Sequence, residues 1–161
     1  MSRTWAVWGS VVALSGGVCL AQSPSAMPAP VSSSWQLDVT FNDPQRITVT
    51  LPGETEPRTF WYLLYTVVNN TGKDVGFFPS VSIVTDTLTT VQAGDNVHPS
   101  VYDAIKARHE KEHPFFAPPA KVTGTLLQGA SNSRTTAAVF ASLDPAADEF
   151  TVFASGFSGE L

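Results

Sequence analysis

Residues 59–68 read TFWYLLYTVV, ten residues without a charge, a proline or a glycine. Aromatic and β-branched side chains dominate the stretch, and both suit a pleated strand better than a helix. Its two faces are both apolar: Trp61 and Tyr65 share one, Tyr62 and Leu64 the other. A strand apolar on both faces needs cover on both, which predicts a central strand.

Upstream, WQLDVTFN (35–42) sets Trp35, Leu37, Val39 and Phe41 against Gln36, Asp38, Thr40 and Asn42. That period of two predicts a strand with one buried face. Asp43-Pro44 predicts a turn, and RITVTL (46–51) alternates again with Ile47, Val49 and Leu51 facing in. Pro52-Gly53 ends that strand and Pro57 closes its loop. Downstream, NNTGKD (69–74) supplies Asn70 and Gly72 for positive φ in a tight turn. VGFFP (75–79) and SVSIVTDT (80–87) are strand material, with Pro79 marking a bulge or an edge. LTTVQAG (88–94) is a weaker strand.

The helix falls in 99–113. Ser100 and Asp103 have capping-box spacing, and Val101, Ile105 and His109 lie four apart on one face. PFFAPPA (114–120) is an irregular loop whose aromatics are either an exposed patch for a partner or folded onto the domain. KVTGTLLQ (121–128), RTTAAVFASL (134–143) and EFTVFASGF (149–157) finish the chain as strands, with Asp144-Pro145 turning the last pair. Seven or eight short strands with one inserted helix near 100–112 imply an all-β, immunoglobulin-like β-sandwich. SGFSGEL (155–161) reads as a hairpin turn with no returning strand. The expectation is a chain truncated at its C-terminus and a last strand with an open edge, an aggregation risk or a docking site.

The N-terminal stretch MSRTWAVWGSVVALSGGVCLAQS has a basic residue, an apolar run, and small residues before Gln22. It predicts a secretory signal peptide over 1–21. A retained anchor and a lipoprotein acylated at Cys19 are the alternatives; Gly16-Gly17 interrupts the first, and bulky Val18 disfavours the second. QSPSAMPAPVSSS (22–34) predicts a flexible Pro/Ser/Ala tether, and 35–161 one domain. Cys19 is the only cysteine, so the domain itself offers no disulfide, thiolate site or cysteine nucleophile. Nine basic against fourteen acidic side chains give a formal net charge of −5. That disfavours nucleic acid, and no basic amphipathic segment suits a membrane surface. The expected location is exported: periplasm, cell envelope or medium, with no membrane insertion once the signal is cleaved.

RHEKEHP (108–114) contains H-E-x-x-H. A zinc hydrolase would need His109 and His113 on one helical face, Glu110 as general base, and a third ligand that leaves one position open. The i, i+4 spacing meets the first condition. Pro114 works against it, because the residue before a proline is pushed out of helical φ/ψ. Arg108, Lys111 and Glu112 read as solvated, and no third ligand has a recognisable context. His98 lies at the other end of the helix. The same residues are explained by a soluble helix end, with cations where the dipole favours them. No cofactor and no catalytic residue is expected. Asp86, Asp95 and Asp103 are too scattered for a calcium loop, and no G-x-S-x-G elbow is present. Asn69-Asn70-Thr71 matches a glycosylation acceptor, but turn chemistry explains it fully.

WYLLYTVVNNTGKDVGFFPSVSIVTDT (61–87) resembles a segment shared by uncharacterised exported proteins of planctomycete-type bacteria. TGTLLQGASNSRTTAAVFASLDPAADEFTVFASGFSGE (123–160) resembles their C-terminal half, and VHPSVYDAIKARH lies between them in the same order. The resemblance implies an immunoglobulin-like exported domain, with no activity, cofactor or catalytic residue to carry over. Two functions follow as expectations. The first is a non-enzymatic module that binds or scaffolds an envelope protein or polysaccharide through its sheet edges, its helix and the 114–120 loop. The second is a zinc-dependent hydrolase using His109, Glu110 and His113.

Overall fold

The computed structural model describes residues 35–159. The expected signal peptide and tether lie outside the described residues. The strands in chain order are β1 (Trp35–Gln36), β2 (Asp38–Phe41), β3 (Gln45–Thr50), β4 (Pro57–Val68), β5 (Val75–Phe77), β6 (Ser80–Thr85), β7 (Thr90–Gln92), β8 (Gly124–Leu126), β9 (Arg134–Phe140), β10 (Phe150–Ser155) and β11 (Ser158–Gly159). Helix α1 spans Pro99–His109 and a short turn, α2, spans Pro119–Val122. The fold is mostly β and sandwich-like, with one substantial helix.

β4 is the central strand, as its composition predicts. It pairs with β9 on one side and with both β2 and β3 on the other. Its odd residues, Leu63, Tyr65 and Val67, join a core completed by Val81 and Ile83 of β6 and by Val75, Phe77 and Leu126 of the β5–β8 pair. Its even residues, Phe60, Tyr62 and Leu64, join a second core with Ile47, Val101, Ile105 and Phe116. The sheet is therefore the middle layer, between the β10-β6-β7 sheet and α1. Val101 and Ile105 are fully buried, and each contributes about 1.5–3 kcal/mol by leaving water.

Asp43-Pro44 does not turn the chain. β2 and β3 run along the same edge of β4, and the three residues 42–44 oppose only Leu63 and Leu64. That one-residue excess is a β-bulge. Because side chains alternate, one extra residue exchanges the faces. Leu37 and Val39 before the bulge pack into the sandwich core; Ile47, Val49 and Leu51 after it pack toward α1.

Other connections also cross between layers where local turns are expected. The 69–74 segment joins β4 to β5, which pairs with β8 rather than β4. Gly72 takes the expected positive φ, but Asn70 does not. β9 and β10 lie in different sheets, so 141–149 carries the chain across the sandwich instead of turning a pair. The turn after β10 brings no strand back onto β10, as expected; the chain continues into β11, which pairs with β1. Gly156 sits in that turn with φ +83°, where an added Cβ would strike the Phe78 carbonyl. Residues 121–122 belong to α2 rather than to a strand.

Candidate functional site

Helix α1 is capped by His98, not by Ser100. His98 Nδ1 accepts the Ser100 N–H at 3.2 Å, Pro99 occupies the first turn, and Asp103 lies beyond it. Proline suits that position because it has no N–H to leave unpaired. Lys106, Arg108 and His109 sit in the last turn as the dipole favours. Val101, Ile105 and His109 form the buried face, as their spacing predicts.

The helix ends at His109, so the H-E-x-x-H residues divide between helix and turn. His109 is buried and its Nε2 lies 2.8 Å from the Tyr62 hydroxyl. The same hydroxyl lies 2.8 Å from Gln45 Oε1 and 3.3 Å from an Arg108 guanidinium nitrogen, which also donates to the Arg46 carbonyl at 2.7 Å. A phenol has one proton. With that proton given to Gln45, the oxygen accepts from His109 Nε2–H and from Arg108. His109 Nδ1 faces the exposed Glu112 carboxylate at 3.7 Å. His113 lies outside the helix, its ring 6.3 Å from that of His109, and Glu110 is exposed. Among the described residues no group of three His, Cys, Asp or Glu side chains could hold a metal. What the structure brings together is Tyr62, His109, Gln45 and Arg108, a polar clasp between helix and sheet.

Asn69 also has a structural task. Its buried Nδ2 donates to the carbonyls of Lys73 and Leu126, both at 2.8 Å, and its Oδ1 accepts from Thr71. Turn chemistry thus occupies the amide that the acceptor motif would modify. Of the aromatics after the helix, Phe115 is exposed and Phe116 is buried in the second core.

The outer edge of β9 is nearly closed. Thr135 O accepts from Ala117 N at 3.0 Å and Val139 O from Gly94 N at 2.8 Å. Between them Ala137 faces a cavity of about 90 Å³ bordered by Tyr65, Tyr102 and Gln92. Burial raises the pKa of both tyrosines, with Tyr102 adding to the effect on Tyr65, so both hydroxyls stay protonated donors.

The opposite side of the sandwich is open. β10 is the end strand of its sheet. Asp86 N donates to Glu149 O at 3.1 Å, which sets the hydrogen-bonding phase of the ladder. Thr151, Phe153 and Ser155 therefore bond to β6, while Phe150, Val152 and Ala154 turn their N–H and C=O groups outward. No described residue hydrogen-bonds those outward groups. Beside them runs an apolar groove of about 290 Å³, lined by Phe41 and Pro44 at the bulge, Leu63 of β4, and Val152 and Ala154 of β10. Phe41 and Phe153 are 44% and 54% exposed. The open last edge was legible in the sequence; the groove was not, because it exists only where the bulge faces β10. Comparison with protein-family models, curated proteins and solved structures finds no match for this chain.

Proposed function

We propose that this chain is a non-enzymatic exported module that binds or scaffolds a partner in the cell envelope, with the open β10 edge as its contact surface. The observation that carries the reading is the coincidence of unpaired backbone groups at Phe150, Val152 and Ala154 with the apolar groove at Phe41, Pro44 and Leu63. Strand addition uses these two elements together: main-chain hydrogen bonds give affinity, and a pocket for alternate side chains gives selectivity. The predicted signal peptide and the resemblance to exported proteins support the location. A partner with an extended peptide backbone fits this edge better than a polysaccharide, because the outward groups recur at strand spacing.

The test compares retention of wild type and of Val152→Pro on an envelope fraction. The Val152 N–H points outward, so proline there removes a docking donor without removing a bond to β6. Retention that falls to background in the variant is the expected result. Equal retention of both chains, or none for either, overturns the reading.

A further inference from the structure

We propose that the occupant of the β10 edge is a second copy of this chain, joined antiparallel about a two-fold axis at Val152. The inference rests on the edge-binding reading above and names its partner. Self-association must bury surface that carries little charge, because the chain has a formal net charge of −5. β10, FTVFAS, contains no charged residue, no proline and no glycine. Charges and prolines are among the devices by which sheet edges are protected from pairing with their own kind, and this strand has neither.

The register follows from the outward groups. With Val152 opposite its own symmetry mate, Phe150 falls opposite Ala154 of the other copy, and Ala154 opposite Phe150. Each outward N–H then meets an outward C=O, so every unpaired group on both edges is satisfied in hydrogen-bonded pairs. A shift of one residue would place outward groups opposite inward-bonded ones and lose the set. Charge favours the same arrangement. Asp148 and Glu149 precede β10; antiparallel pairing sets them opposite the uncharged Ser155–Gly156 turn of the other copy. A same-direction pairing would stack them on themselves. The contact is isologous and closes on itself, which is the usual form of a homodimer. On the inner face, Phe150, Val152 and Ala154 of one copy extend the apolar wall of the other's groove.

The test uses the full chain expressed in an exporting host and purified as the host delivers it, on a Cys19→Ser background so that no other thiol competes. Sedimentation across a wide concentration series reads the assembly. The expected result is a reversible monomer–dimer boundary that disappears in Val152→Pro and in Thr151→Lys, an exposed substitution that leaves the fold intact. Val152→Cys should cross-link to itself under mild oxidation, since facing Cα atoms in such a pair lie about 5.5 Å apart, within disulfide reach. Thr151→Cys and Phe153→Cys, each opposite the other's position, should cross-link far more slowly. A chain monomeric at every concentration overturns the proposal, as does a dimer indifferent to Thr151→Lys. If that monomer still loses envelope retention in Val152→Pro, the edge binds another protein's strand. If retention is also indifferent, the edge-binding reading falls too.

Discussion

His109 Nε2 lies 2.8 Å from the hydroxyl oxygen of Tyr62, joining the last turn of α1 to the central strand of the sheet. Their rings meet edge to face, with centroids 5.8 Å apart. The contact makes His109 a structural residue of the helix–sheet layer. His109→Ala is expected to destabilise the domain by about 2–4 kcal/mol, because it empties a buried site and leaves the Tyr62 hydroxyl short of a partner. Tyr62→Phe is expected to cost about 1–2 kcal/mol. Denaturant unfolding of both single variants and of the double should show a coupling of about 1 kcal/mol. Strictly additive losses would mean the two side chains do not interact. The same preparations, titrated with zinc, should bind no more tightly as wild type than as His109→Ala/His113→Ala. Tight one-to-one binding abolished in that double variant would restore the hydrolase reading.

The bulge at 42–44 makes a second expectation concrete. Deleting Asp43 removes the extra residue, so the strand can keep Leu37 and Val39 inside or Ile47, Val49 and Leu51 inside, but not both. Exposing two or three such side chains loses roughly 4 kcal/mol or more. Thermal unfolding should show the deletion severely destabilised or unfolded, while Asp43→Ala, exposed in the structure, stays within about 0.5 kcal/mol of wild type. A deletion variant as stable as wild type would mean the two halves do not face opposite layers.

Burial of Tyr65 makes stability depend on alkaline pH. Its folded-state pKa lies well above the ordinary 10.0, chiefly through desolvation and secondarily through Tyr102. The unfolded chain therefore loses that proton first. The stability tied to neutral Tyr65 is complete below pH 10.0 and declines as pH rises from there toward the folded-state value. Urea midpoints measured as pH rises above 10.0 should fall, and Tyr65→Phe should flatten the decline. An unchanged slope in Tyr65→Phe would show that the hydroxyl is solvated.

The same residues show what a sequence can and cannot disclose here. The central strand, the buried helix face at Val101, Ile105 and His109, and the alternation on either side of Asp43 are local patterns, and all were legible. The bulge was not. Asp43-Pro44 carries turn chemistry, and a turn and a one-residue bulge both separate two alternating runs; only pairing with β4 distinguishes them. His98 is not legible as a cap because histidine is not among the usual capping residues. It works here through Pro99 and the Ser100 N–H. The Tyr62–His109 pair had a partial signal, since each falls on an inward face of its own element. That the two faces meet is a fact of tertiary packing. The pairing of β11 was not legible for the same reason: its partner, Trp35–Gln36, lies at the far end of the described chain.

The most direct test of the central claim is residue-resolved amide hydrogen exchange along β10. In dilute protein the amides of Thr151, Phe153 and Ser155, bonded to β6, should be protected, while those of Phe150, Val152 and Ala154 should exchange rapidly. Adding concentrated protein or an envelope fraction should then protect those outward amides alone. Uniform protection of all six in the dilute monomer would show the edge already covered. Rapid exchange at the outward positions under every condition would show that nothing docks there; either result contradicts the account.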